Sequence, residues 1–76
     1  MQIFIKLLSN KTILLNVNSS ENIKNIKNKI EIKEGIPSNL IRLNYKKELN
    51  NNKTLFDYKI EEMSTLYLYL SLKSNI

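Results

Sequence analysis

The 76-residue sequence predicts a two-layer α+β domain in which one helix covers a face of a mixed β-sheet. Apolar and polar residues alternate near both ends of the chain, as they do in half-buried strands. Between these segments lies an apolar stripe with helical spacing. Apolar residues make up 42% of the chain, which is sufficient for one small core. We therefore expect a single globular domain.

The first two strands are predicted to form a hairpin. Residues 1–7 and 12–17 both alternate, and the turn between them contains Asn10, which can adopt a left-handed conformation. The side chains predicted to face inward are Ile3, Ile5, Ile13, Leu15 and Val17.

A helix is predicted next. Asn22 can accept a hydrogen bond from a first-turn amide as N-cap, and Gly35 stands where a helix C-terminus favours a left-handed residue. Pro37 then prevents the helix from resuming. The apolar stripe of this helix consists of Ile23, Ile26 and Ile30.

The second half of the chain is predicted to complete a ββαββ order with one further strand. Residues 40–45 form a strand, a turn at 46–47 leads into a short segment at 48–49, and residues 64–72 form the last strand. In the loop before it, Asp57 is expected to cap a short turn. The core residues expected here are Leu43, Leu49, Leu55, Ile60, Leu66 and Leu68.

The composition argues against catalysis. The chain has no cysteine and no histidine, so it lacks a thiolate nucleophile and the usual general base near neutral pH. We expect no enzyme activity, no cofactor and no metal. We also find no apolar run long enough for a membrane span and no signal peptide, and we expect a cytoplasmic or nuclear location. The net charge of +5 is spread along the chain.

Stretches throughout the chain resemble ubiquitin in order and spacing. They include residues 1–4, 33–37 and 64–66, and the one gap is a turn at residues 46–47 that is one residue shorter. The resemblance covers nearly the whole chain and implies the β-grasp fold. It implies a monomeric ubiquitin-like domain at residues 1–72 and a flexible tail at 73–76.

The tail departs from that resemblance. Ubiquitin and related modifiers end in Arg-Gly-Gly, but Ser74 and Asn75 stand at the glycine positions here. Their side chains would obstruct a tail that must thread a narrow channel of the activating enzyme. We therefore expect a non-conjugating ubiquitin-like protein that acts through protein–protein recognition in a ubiquitin/proteasome-type pathway. The alternative is a modifier of the ubiquitin or cullin-modifying type whose C-terminus is altered or incomplete.

Two features resemble the cullin-modifying branch of the family. Ser71 replaces an arginine that the ubiquitin-activating enzyme inspects, and the cullin modifier has a small alanine there. The residues of 57–60 also resemble that branch more than they resemble ubiquitin. Ser71 is therefore predicted to be a specificity position in the tail.

The resemblance implies three recognition surfaces. At the centre of the main surface, Asn44 replaces an isoleucine of ubiquitin, which would weaken binding to the partners of ubiquitin. The main surface comprises Leu8, Asn44, Tyr67 and Tyr69, with Arg42 nearby. The second comprises Leu8, Ile36, Leu70 and Leu72. The third is an expected exposed cluster of Phe4 and Leu14, with Gln2 and Thr12 beside it.

The resemblance also marks lysines that could accept an isopeptide bond. Lys27 is a special case, because its counterpart is largely buried beside an acidic residue that is Asn51 here. Glu62 replaces another acceptor lysine. The remaining candidate acceptors are Lys6, Lys11, Lys29, Lys33 and Lys47.

The expected partners are ubiquitin-pathway proteins, namely receptors, ligases and an activating enzyme, and not a membrane. A remote alternative is single-stranded nucleic acid, since aromatic side chains on an open sheet can stack on bases while cations bind phosphates. The residues considered for that role are Tyr67, Tyr69, Arg42, Lys6, Lys46 and Lys47.

Overall fold

The computed structural model describes residues 1–71 and confirms a mixed sheet with one helix packed on it. The four strands lie in the order β2-β1-β4-β3, with β1 parallel to β4 and the other pairs antiparallel. No helix among these residues is both long and apolar enough to cross a membrane. The elements are β1 (Gln2–Lys6), β2 (Thr12–Asn16), α1 (Ile23–Glu34), β3 (Ile41–Asn44) and β4 (Thr65–Leu70).

The hairpin turn and both helix caps have the predicted conformations. Asn10 has a φ of 70°, in the left-handed region. The amide of Asn25 donates to Asn22 Oδ1 at 2.8 Å, which caps the start of α1. Gly35 ends the helix with a φ of 77°, and its amide donates to the Glu31 carbonyl at 2.7 Å.

The predicted core is confirmed in full. All fourteen apolar residues expected to face inward are buried, and the three isoleucines of the α1 stripe are fully covered. Two core residues were missed, Leu7 and Ile41, which lie at the end of β1 and at the start of β3. The helix therefore covers the inner face of the sheet and leaves the outer face open.

The segment at residues 48–49 does not form the additional strand that was expected. Glu48 makes only an isolated bridge to Asn44. The turn before it is tight: Lys46 has a φ of 67°, and the Tyr45 amide donates to the Lys47 carbonyl at 2.9 Å. The chain leaves the sheet after this single bridge because Leu49 turns into the core.

The loop before β4 is built around a 3-10 turn at Phe56–Tyr58. Asp57 Oδ2 accepts from the Thr54 amide at 2.9 Å, and the Asp57 amide donates to Thr54 Oγ1 at 3.1 Å. This reciprocal pair confirms the predicted capping role of Asp57.

Candidate functional site

The outer face of the sheet presents two neighbouring tyrosines. Tyr67 lies opposite Asn44 on one side and Lys6 on the other, and Tyr69 lies opposite Arg42. Each tyrosine is 48% exposed. Strand alternation produces this arrangement, because Leu66 and Leu68 face the core and direct the tyrosines outward. The register thus brings together three residues of the predicted main surface and Arg42.

Asn44 lines a shallow groove between Tyr69 and Glu48. The groove has a volume of about 300 Å³ and is lined by Arg42, Asn44, Glu48, Tyr69 and Leu70. Asn44 is half-buried, so its amide group would meet any partner that covers this face. An apolar partner would leave that amide without a hydrogen bond, which costs roughly 1–3 kcal/mol.

An ion pair that the sequence did not predict borders this groove. Arg42 Nε donates to Glu48 Oε2 at 2.6 Å, and Nη2 donates to Oε1 at 2.9 Å. These hydrogen bonds raise the pKa of Arg42 and lower the pKa of Glu48. Both side chains remain half-exposed, so the pair shapes the surface more than it stabilises the fold. The tight turn of residues 45–47, between β3 and Glu48, is the feature that places the carboxylate opposite Arg42.

Three residues of the second predicted surface meet in another groove. Leu8, Ile36 and Leu70 line a volume of about 290 Å³ at one end of the sheet. Leu8 belongs to this groove and does not line the one around Asn44. Leu72, the fourth predicted member, lies outside the described residues.

The third predicted surface is less exposed than expected. Phe4 is half-buried, which corrects the expectation of an exposed cluster of Phe4 and Leu14. The reason is that β1 is a central strand of the sheet. Phe4 lies opposite Leu14 on one side and Thr65 on the other, and these neighbours shield its ring. Leu14 itself is exposed on the edge strand β2.

The candidate acceptor lysines differ in availability. Lys11 Nζ pairs with Glu34 Oε1 at 3.1 Å. Lys29 Nζ donates to Glu21 Oε1 at 2.8 Å and to the Asn16 carbonyl at 2.9 Å, so it ties α1 to the hairpin. Lysines 6, 33 and 47 are exposed. Lys29 would have to give up two hydrogen bonds to react.

Ser71, the predicted specificity position, is the last described residue. It is half-buried, and its amide donates to the Leu40 carbonyl at 2.7 Å. The backbone at Ser71 is therefore still anchored to the chain just before β3. Ser74 and Asn75, on which the prediction about conjugation rests, lie outside the described residues.

Lys27 is buried on the inner face of α1, where it is 8% exposed. Within residues 1–71 it forms no ion pair, and the carboxylate that acts on its charge is that of Glu48. Burial lowers the pKa of Lys27 below the ordinary value of 10.5, the charge of Glu48 opposes that shift, and Arg42 adds to it. Within the described residues Lys27 thus carries a partly desolvated ammonium group without an ion pair.

We expect Lys27→Met to be neutral or to stabilise the protein by up to about 1 kcal/mol at pH 7, because it removes a partly desolvated charge and keeps the apolar stem. The pKa of Lys27 is lower in the folded chain than in the unfolded chain, so between these two pKa values the unfolded chain binds more protons. The destabilisation by the Lys27 charge therefore decreases as the pH rises from the folded pKa to the unfolded value of 10.5. Urea unfolding of both proteins from pH 7 to 10.5 measures the difference. A loss above about 2 kcal/mol at pH 7 would instead show that Nζ has a strong acceptor.

The comparisons with known proteins agree with this fold. The model of the family described as "Ubiquitin family" matches residues 3–73. The chain belongs to the ubiquitin family. That family is non-enzymatic, which confirms that the chain is not an enzyme.

Relatives named as ubiquitin-like or NEDD8-like proteins match the chain nearly end to end. The Dictyostelium discoideum protein "Ubiquitin-like protein NEDD8" is 35% identical, with all of both chains covered. "Ubiquitin-like protein 1" of Schizosaccharomyces pombe is 36% identical and "NEDD8-like protein RUB3" of Arabidopsis thaliana is 38% identical, each over 96% of this chain and 95% of the relative. The protein is thus a ubiquitin-like protein related to NEDD8.

Proposed function

We propose that this chain is a protein-recognition domain of a ubiquitin-type pathway, that its main partner surface is the outer face of the sheet, and that it is not conjugated through its tail. Its partners are receptors and ligases of that pathway, and its place of action is the cytoplasm or the nucleus. Family membership supports the pathway. The substitutions at residues 74 and 75 support the absence of conjugation.

One observation carries the choice of surface. Two half-exposed tyrosines lie side by side on β4, next to a groove with Asn44 in its lining. Tyrosine combines a large apolar area with a hydroxyl group and is enriched among the residues that dominate binding energy. The Asn44 amide adds a requirement for a hydrogen-bonding group on the partner. This face therefore favours a partner that differs from the apolar receptors of ubiquitin.

A second candidate function is that of a modifier. The relative named NEDD8 covers the whole chain, and Ser71 is a small residue where ubiquitin has arginine. On this proposal the chain would be charged by a cullin-modifier-type enzyme once it carried a diglycine tail. The two functions share the recognition face and differ only in the chemistry of the tail.

We expect the chain to bind weakly or not at all to receptor domains that recognise ubiquitin through its central isoleucine. Asn44→Ile should strengthen that binding about tenfold, because it removes the penalty of an unpaired amide. Titration of the labelled receptor domain with the wild-type chain, the variant and ubiquitin measures the affinities. Wild-type binding as tight as that of ubiquitin would contradict the interpretation of this face.

The tyrosines provide the control for the same face. A pathway receptor that binds the wild-type chain should bind the double variant Tyr67→Ala, Tyr69→Ala about fivefold more weakly or worse. Equal binding by the double variant would place recognition elsewhere on the molecule. The nucleic-acid alternative would be favoured if the wild-type chain bound single-stranded RNA with a steep salt dependence and the double variant did not bind it.

A further inference from the structure

Phe56 is the most exposed aromatic side chain among residues 1–71, at 72%. It opens the 3-10 turn Phe56–Tyr58 in the connection between β3 and β4. A groove of about 500 Å³ lies beside it, lined by Phe56, Asp57, Lys59, Ile60 and Glu61. None of the three surfaces implied by the resemblance includes these residues.

The backbone that presents Phe56 is ordered by internal hydrogen bonds. Every amide from residue 55 to residue 61 donates to an acceptor within the chain. The Phe56 amide donates to the Ser19 carbonyl at 2.9 Å, and the Lys59 amide donates back to the Phe56 carbonyl at 2.9 Å. A ligand would therefore meet a preformed surface and would not have to order the loop on binding.

The groove combines an aromatic ring with carboxylates. Asp57 and Glu61 supply two negative charges and Lys59 one positive charge, so the lining has a net charge of −1 on a chain of net charge +5. The Thr54 amide donates to Asp57 Oδ2 and lowers the pKa of this carboxylate, which is ionised at neutral pH in any case. A planar guanidinium can stack on an aromatic ring while its N–H groups donate to carboxylate oxygens.

We propose that this groove binds an arginine side chain of a partner protein, with the guanidinium on the Phe56 ring and its donors directed at the carboxylates of Asp57 and Glu61. Lysine fits less well because its ammonium group neither stacks on the ring nor donates in a fork. A second copy of this chain is a poor occupant. Its only arginine, Arg42, already makes two hydrogen bonds to Glu48 on the outer face.

The probe is the hexapeptide acetyl-Gly-Leu-Arg-Arg-Leu-Gly-amide, titrated into the isotope-labelled chain and followed by amide chemical shifts. The matched peptide carries citrulline, which is neutral and of the same shape, in place of both arginines. We expect shifts confined to residues 55–61 with the arginine peptide, and binding about fivefold weaker or worse with the citrulline peptide. Shifts centred on Tyr67 and Tyr69, equal binding of the two peptides, or no shift at about millimolar arginine peptide would overturn the proposal.

Three variants distinguish stacking of the guanidinium on the Phe56 ring from nonspecific apolar binding. Phe56→Ala and Phe56→Leu should each weaken binding about fivefold, because leucine retains apolar bulk but has no π face. Ile32→Ala removes an apolar side chain of similar exposure from the helix and should leave binding unchanged. Unchanged binding by Phe56→Leu would mean that the ring is not stacked on a cation and would refute the guanidinium assignment. Because Phe56 is exposed, its variants should keep the wild-type thermal transition.

Discussion

Replacement of Ile30 by alanine should destabilise the domain by roughly 2–5 kcal/mol. Ile30 is fully buried where α1 packs on the inner face of the sheet, and it completes the stripe that begins at Ile23. The truncation removes apolar contacts and leaves a cavity that the surrounding side chains fill only in part. Single domains are stable by only about 5–15 kcal/mol, so a loss of this size is a large share of the total. Urea unfolding at 25 °C, with an unchanged dependence on denaturant, measures it.

The same helix offers a matched control. Ile32 is two residues away and 85% exposed, so Ile32→Ala deletes the same atoms from a solvated position. It should change the stability by no more than about 0.5 kcal/mol, because alanine has the better helix propensity and no burial is lost. If both variants lose the same amount, or if Ile30→Ala loses less than about 0.5 kcal/mol, the assignment of the stripe to the core is wrong.

Periodicity predicted most of the core in the strands and the helix, because each of these elements has one buried face. The two misses, Leu7 and Ile41, each adjoin another apolar residue, Leu8 and Leu40. Two apolar residues in a row conceal which of them faces inward. For Ile41 the signal was present, since it lies two residues before Leu43 and so shares its face.

The surfaces were harder to predict because they depend on residues distant in sequence. Alternation placed Tyr67 and Tyr69 outward, but only strand pairing shows which residue lies opposite each of them. The alternation of β1 alone predicted that Phe4 is exposed. Its partial burial depends on the neighbouring strands, which the order of the sheet supplies. Phe56 lies in a loop, where alternation has no meaning. Its exposure follows from the 3-10 turn, which buries Leu55 and directs the next side chain outward.

The ion pair of Arg42 with Glu48 was also missed because it depends on how the chain folds back on itself. A carboxylate six residues away is a neighbour only if a tight turn reverses the chain between them. Lys46 adopts a left-handed conformation to make that turn, which composition alone did not predict. The turn thus places Glu48 beside Arg42, where its carboxylate accepts from Nε and Nη2 of the guanidinium.

The 76-residue chain should form no thioester with either a ubiquitin-type or a cullin-modifier-type activating enzyme in the presence of ATP. Ser74 and Asn75 occupy the positions at which the modifiers it resembles carry glycine. Side chains at these positions would fill space that only a bare backbone leaves free. The readout is a band that shifts on a non-reducing gel and disappears with thiol, and ubiquitin charged in parallel is the positive control. A thioester on the unaltered chain would disprove the non-conjugating proposal.

Replacement of residues 74–76 by Gly-Gly should restore charging if the rest of the chain is a working modifier. Ser71 should then favour the cullin-modifier-type enzyme, because the acidic pocket of the ubiquitin-type enzyme would lack its arginine. Adding Ser71→Arg to the diglycine variant should shift charging toward the ubiquitin-type enzyme, and this matched pair separates specificity from loss of folding. If the diglycine variant is charged by neither enzyme, the second candidate function fails. The chain would then act through its surfaces alone, with Tyr67, Tyr69 and Asn44 as the residues to pursue.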